Sequence, residues 1–182
     1  LAHGDHLGDG DLDAIRTVGA GVAHCPLSNS YFANAVFPAR RALDAGVRVG
    51  LGSDVAGGSR VGLLGQAADA VTVSRMLEDG VDPGLDAAQR GVSDSRISIV
   101  DAFWMATVGG ADLLGLPVGL FEVGRRFDAI AVDLASPGSP LRRWFDIDDD
   151  ARTFEKIVRL ATPTEITEVW VDGRRVAGSA SS

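Results

Sequence analysis

Short apolar runs alternate with helix-length segments through the first half of the chain, and each run stops at a residue capable of chemistry. Ala20-Gly21-Val22-Ala23 leads to His24, Cys25 and then Pro26, whose missing N–H ends a strand ladder. Val47-Arg48-Val49-Gly50-Leu51 is a second run, predicted to end at Asp54. Leu1-Ala2-His3-Gly4 reads as the tail of a strand already in progress, so the chain is expected to begin inside a larger protein. Between these runs, Asp11 to Ile15 opens a short helix capped by Asp9 or Asp11 and closed by Gly19. A polar loop, Ser28-Asn29-Ser30, precedes a second helix through Ala39 to Ala45, with Gly46 where a C-cap glycine belongs. Strand, helix, strand, helix, strand at this spacing predicts parallel strands joined by crossover helices, buried on both faces.

The later pattern differs. Val61 to Leu77 carries Leu64, Ala67, Ala68, Val71 and Met76 partly on one helical stripe, and the polar stretch from Gly80 to Ser95 reads as an excursion loop. Ser98 caps a helix over 99–108, and Gly109-Gly110 permits close packing after it. Beyond a break near Gly119 the periodicity turns to two. Phe127 to Asp133 alternates like a strand, Ala151 to Leu160 is an amphipathic helix, and Glu168 to Val176 is a hairpin about Asp172-Gly173. The tail from Gly178 to Ser182 is expected to fray. The pattern thus predicts a parallel α/β part over 1–118 and a small antiparallel part over 119–182.

Composition narrows the function classes without choosing among them. In 182 residues, 46% hydrophobic and 23% charged, the formal net charge of −8 argues against a nucleic-acid partner. No apolar run approaches the roughly 20 residues of a membrane span. The single cysteine, Cys25, excludes an intramolecular disulfide and makes a reducing, cytoplasmic setting the default expectation.

The candidate chemistry lies at the strand ends. In a barrel or doubly wound sheet, His3, His24 and Asp54 would converge on one face. An acidic group there needs a donor, a cation or a metal, and Gly57-Gly58 lets the backbone pass close to it. Asp54 also reads simply as a turn or N-cap residue. His3, in a loop before Gly4, is expected at a site rather than in a packed core. His24 reads either as a satisfied structural histidine or as a site residue, and His6 either as a solvated loop residue or as part of the pocket lining. Cys25, followed by proline and lacking a triad constellation, is not expected to be a nucleophile. The pairs Arg40-Arg41, Arg142-Arg143 and Arg174-Arg175 are expected on solvated faces. Two imidazoles and a carboxylate suit zinc, but a catalytic site normally has at least three protein ligands and the chain holds three histidines in all.

Several motifs together resemble the deaminase branch of the amidohydrolase superfamily, the branch that contains guanine deaminase. They are Ala2-His3-Gly4, Val22-Ala23-His24-Cys25-Pro26-Leu27-Ser28-Asn29, and Gly50-Leu51-Gly52-Ser53-Asp54-Val55-Ala56-Gly57-Gly58. The resemblance continues through Ala106-Thr107-Val108-Gly109-Gly110-Ala111, Phe127-Asp128-Ala129-Ile130 and Glu168-Val169-Trp170-Val171-Asp172-Gly173. It implies the C-terminal part of a (β/α)8 TIM-type barrel, strands six to eight, plus part of a small β-sandwich. It further implies zinc-dependent hydrolytic deamination of guanine to xanthine and ammonia. Asp54 would be a zinc ligand and proton shuttle, and His3 a catalytic and substrate-binding residue. His24 would help shape the substrate pocket, and His6, from its loop position, is the further candidate for substrate binding. The family's HxH and HxxE motifs are missing, so the remaining Zn2+ ligands would lie outside this chain, which alone would be inactive. A small-molecule purine partner and a homodimer in the full-length enzyme are implied as well. The alternatives are a related aminohydrolase acting on 8-oxoguanine, another purine, a pterin or a triazine, and a non-catalytic truncated remnant. Asn34-Ala35 departs from the Ser-Gly common in the family's loop.

Overall fold

The computed structural model describes residues 1–33 and 35–178, so the Asn34 departure and the fraying expected of residues 179–182 lie outside the described residues. The chain divides into two compact units, Leu1–Leu116 and Pro117–Ser182.

In the first unit the order is α1 (Asp9–Thr17), β1 (Gly21–His24), a single turn α2 (Pro26–Ser28) and a π-helical turn over Asn29–Ala33. There follow α3 (Ala39–Asp44), β2 (Arg48–Leu51), α4 (Leu63–Asp79) and α5 (Ile99–Trp104). A second π-turn, Met105–Gly109, runs into α6 (Gly110–Leu114). The strands β1 and β2 pair in parallel, Val22 opposite Val49 and His24 opposite Leu51. Ala2 forms a parallel bridge to Ala23. Ala23 also faces Gly50 of β2, so the segment around Ala2 must take its opposite edge. Spatial order therefore follows sequence order, as crossovers of constant hand produce when they advance around a barrel.

Two expectations need correction here. The strand β2 ends at Leu51, with one further bond from Gly52 N–H to His24 O, and Asp54, expected at its end, stands three residues on in left-handed backbone with φ of 48°. The stretch Ser28-Asn29-Ser30 is helical rather than a loop: Pro26 supplies the fixed φ of a first helical position, and Asn29 N–H donates to Cys25 O at 2.9 Å.

The core explains the close approach of α6 to the sheet. Val22, Val49, Ala67, Ala70, Ala102 and Met105 are fully enclosed. A Cβ added at Gly109 would lie 2.4 Å from Val49 O, and one at Gly50 would lie 2.9 Å from Gly110 Cα. Only glycine permits that backbone-on-backbone contact. Capping follows the chemistry read from the chain at Ser98, whose hydroxyl accepts from Asp101 N–H at 3.1 Å. At α1 the cap position is instead Gly8, and Asp11 reaches back to accept its N–H at 2.8 Å. Met76 of the anticipated stripe is exposed, while Gln66 and Ser74 are buried on α4. Arg40 also differs from a solvated arginine, since it pairs with Asp101 and ties α3 to α5.

The second unit holds β3 (Ala129–Val132), α7 (Asp150–Leu160), β4 (Ile166–Val171) and β5 (Arg174–Gly178) in an antiparallel sheet ordered β3-β4-β5. Asp172 and Gly173 take φ of 53° and 73°, the two left-handed residues that a tight hairpin turn requires. Asp149 caps α7 by accepting from Arg152 N–H at 2.8 Å.

Candidate active site at the strand ends

His3, Cys25 and Asp54 come together at one end of the parallel strands. His3 N–H donates to Ala23 O at 3.0 Å, and Gly52 N–H donates to His24 O at 2.8 Å, so the segments leaving the sheet are pinned to β1. Cys25 sits between them. Burial pushes its thiol pKa up, the charges of Asp54 and Asp5 push it further, and the His3 backbone N–H opposes. A thiol held protonated in this way is a poor nucleophile, which agrees with the reading of its sequence context. A Cβ added at Gly52 would lie 2.9 Å from Cys25 Sγ, so glycine is what lets the chain pass over the sulfur toward Asp54.

Asp54 is half-buried, and its turn is built around it. Gly58 N–H donates to Asp54 O at 2.5 Å, and a Cβ at Gly57 would approach Asp54 Oδ2 to 2.6 Å. A side chain at Gly57 would therefore have to displace the carboxylate. His3 and Asp54 are two of the four described non-glycine residues with positive φ, at 67° and 48°. The third, Asp172, belongs to a hairpin turn, and the fourth, Asp94, to the loop before α5. Left-handed backbone at both strand-end residues costs of order 1 kcal/mol each and persists where surrounding structure holds it.

The loop after His3 adds two groups that the sequence reading did not single out. His3 Nδ1 lies 2.7 Å from Asn29 Oδ1, and Asn29 Nδ2 donates to Asp5 Oδ1 at 2.6 Å. Asn29 is 2% exposed. Burial raises the Asp5 pKa, against the opposing influence of His3, His6 and the Asn29 amide. A carboxylate two residues past a strand-end histidine, together with an Asn just after a Pro-initiated turn, is the only trace this arrangement leaves in the sequence.

The other candidates fall into different environments. His6 is exposed in the loop beside Asp5. His24 is enclosed, its ring 5.2 Å from that of Phe37, and burial drives its pKa down from 6.5 to about 3. Its Nδ1 has no hydrogen-bond partner among the described residues. His24 is therefore a neutral imidazole behind the strand ends.

Similarity to known proteins fits this geometry. The amidohydrolase family model matches residues 1–176. This chain belongs to the amidohydrolase family. A protein of Schizosaccharomyces pombe named "Probable guanine deaminase" is 33% identical over 98% of this chain and 32% of its own length. The solved guanine deaminase of E. coli superposes with a TM-score of 0.79 at 27% identity, over 98% of this chain and 39% of that one. The guanine deaminase of C. acetobutylicum, solved with guanine in its active site, gives 0.78 at 26% identity, over 96% and 38%. The chain thus spans 32% to 39% of the length of these relatives.

An adenosine deaminase of Xanthomonas campestris that shares the fold at 23% identity and a TM-score of 0.73, over 97% of this chain and 36% of that one, was solved with zinc bound, so the donor set here can be tested for such a centre. A catalytic zinc takes three protein ligands and keeps a fourth position open. Among the described residues no group of three His, Cys, Asp or Glu side chains is placed to hold a metal ion. His24 is enclosed against Phe37. The residues of this chain by themselves do not fit a zinc centre.

Proposed function

We propose that this chain is the C-terminal part of a zinc-dependent guanine deaminase. Residues 1–118 would carry barrel strands six to eight, and residues 119–182 part of the small β-sandwich. The sequential parallel order of the strands, the antiparallel sheet that follows them and the names borne by the relatives support this reading. The observation that carries it is the meeting of His3 and Asp54 about Cys25, each in left-handed backbone, at one end of the parallel strands.

In the proposed reaction, water replaces the exocyclic amine of guanine, giving xanthine and ammonia. Asp54 supplies one metal ligand and a carboxylate able to move protons, the remaining Zn2+ ligands belonging to sequence outside this chain. His3 holds the substrate or the attacking water. His24, buried and neutral, shapes the pocket wall from behind, and His6 lines its mouth. The full-length enzyme is proposed to be a cytoplasmic homodimer. Among the described residues no helix is long and apolar enough to cross a membrane.

The deciding experiment uses the full-length protein that carries this sequence. Asp54→Asn should lower guanine-dependent ammonia release about a hundredfold or more, the scale of a lost acid–base group, and lower the zinc content. The isolated 182-residue chain should bind no stoichiometric zinc and release no ammonia. Undiminished turnover in the variant would overturn the assignment. Faster turnover of 8-oxoguanine, a pterin or a triazine than of guanine would move the substrate elsewhere in the family.

A further inference from the structure

The bridge from Asp5 through Asn29 to His3 has a direction that chemistry fixes. An ionised carboxylate only accepts hydrogen bonds, so the Asn29 group 2.6 Å from Asp5 Oδ1 must be the amide NH2. The amide oxygen is then the atom facing His3 Nδ1 at 2.7 Å, and a carbonyl oxygen also only accepts. The ring nitrogen must therefore carry the hydrogen. In a neutral imidazole with hydrogen on Nδ1, Nε2 holds a lone pair and can only accept. The amide orientation follows from Asp5 rather than from an arbitrary choice between nitrogen and oxygen.

We propose that Asn29 is a positioning residue, oriented by Asp5, that locks His3 in the Nδ1–H tautomer and leaves Nε2 as a hydrogen-bond acceptor. The inference deepens the reading of His3 as a site residue and, for its functional consequence, rests on it. In this tautomer His3 accepts from a water or an N–H group and does not donate to a substrate carbonyl, so its role narrows to orienting the attacking water or the amine. The enclosure of Asn29 suits such a function. Its side chain is enclosed while its two hydrogen bonds are part-buried, and the π-turn that carries it is anchored by Pro26 and Cys25.

The test is the tautomer itself, read by two-bond proton–nitrogen correlation NMR on the histidine-labelled chain at a pH where the ring is neutral. The expected spectrum shows a protonated Nδ1 and an unprotonated Nε2 for His3. Asp5→Asn replaces an obligate acceptor by a group that also donates, lets the Asn29 amide turn over, and should produce a mixture of tautomers. Asn29→Ala should do the same by removing the acceptor. Asp5→Asn, near-isosteric at a half-buried site, keeps the comparison available if the buried Asn29→Ala variant does not fold. An Nε2–H tautomer in the unmodified chain, or an unchanged tautomer in Asp5→Asn, would overturn the lock while leaving the deaminase reading intact. In the full-length enzyme Asp5→Asn should cost about tenfold or more in kcat with little change in KM, the scale of lost outer-shell partners. A confirmed lock with neither Asp5→Asn nor His3→Ala affecting turnover would instead overturn the role of His3 in the reaction.

Discussion

The two units of this chain draw on similar residue types and hold themselves together differently. Among the described residues, every enclosed apolar side chain except Leu141 and Val158 belongs to the first unit. There the strands are covered, and β2 beyond Arg48 is buried at each position. In the second unit β5 is exposed throughout and β4 only partly covered. What the second unit has instead is local polar closure. Enclosed Asp148 accepts from Lys156 and from Trp144 N–H, and enclosed Glu165 accepts from the Thr162 hydroxyl and N–H at 2.6 Å and 2.8 Å. The first unit is therefore expected to respond to changes in volume, the second to changes in charge.

The largest effect should come from emptying the first unit's core. Phe37 is 1% exposed and packs on the His24 ring behind the strand ends. Phe37→Ala should cost about 3–5 kcal/mol, the range for deleting a buried aromatic ring. Urea denaturation checks it. A loss under about 1 kcal/mol would mean that the first unit is not close-packed about this ring and would erase the contrast between the units.

Acid should separate the two units next. The folded-state pKa of His24 lies near 3, below its unfolded value of 6.5, so below pH 6.5 the unfolded chain binds a proton that the folded one refuses. Its contribution is complete above pH 6.5 and declines as pH falls toward about 3, by at most about 1.4 kcal/mol per pH unit. The carboxylates of the second unit behave otherwise. Lys156 and the Trp144 N–H hold Asp148 below its usual 3.8, and the Thr162 hydroxyl and N–H hold Glu165 below its usual 4.5. Their stabilisation is present above those values and lost only as pH falls through the lowered ones. Amide exchange followed from pH 6.5 downward should thus show the first unit loosening first, and His24→Leu should flatten that slope. Equal loosening of both units above pH 4.5 would contradict the assignment of the slope to His24.

The legibility of the chain divides along the same lines. Features governed by a local rule could be read directly: the Asp172-Gly173 turn, the Ser98 cap and the Gly46 terminator each depend on residues within a few positions. The convergence read for His3, His24 and Asp54 holds for His3 and Asp54, since parallel strands with crossover helices put their C-terminal ends on one side, but His24 turns its ring into the core against Phe37. Asn29 was not. Its role depends on a π-turn, whose five-residue spacing has no residue signature, and on burial of a side chain that composition assigns to a loop. The early end of β2 was likewise hidden, because nothing in Leu51-Gly52-Ser53 announces that Asp54 turns left-handed.

The smallest effect gives the sharpest comparison, because one substitution can be placed in both sheets. Val and Thr have nearly the same shape, so exchanging them adds a hydroxyl without opening a cavity. Val49 in β2 is fully enclosed, paired with Val22 across the strands and covered by the Gly109 turn. Among these neighbours a new hydroxyl exchanges bulk water for apolar side chains and backbone already engaged in the ladder, so Val49→Thr should cost about 1–3 kcal/mol. Val176 in β5 is 53% exposed, and there the hydroxyl stays in water on a residue type that suits a strand. Val176→Thr should therefore stay within about 0.5 kcal/mol of the parent. Thermal unfolding of the two variants in the same buffer measures the difference directly. A cost for Val176→Thr as large as the ~1–3 kcal/mol expected of Val49→Thr would mean that β5 is covered in solution, by another part of the protein or by a second copy, and the exposure of β5 would then belong to the isolated chain rather than to the assembled one.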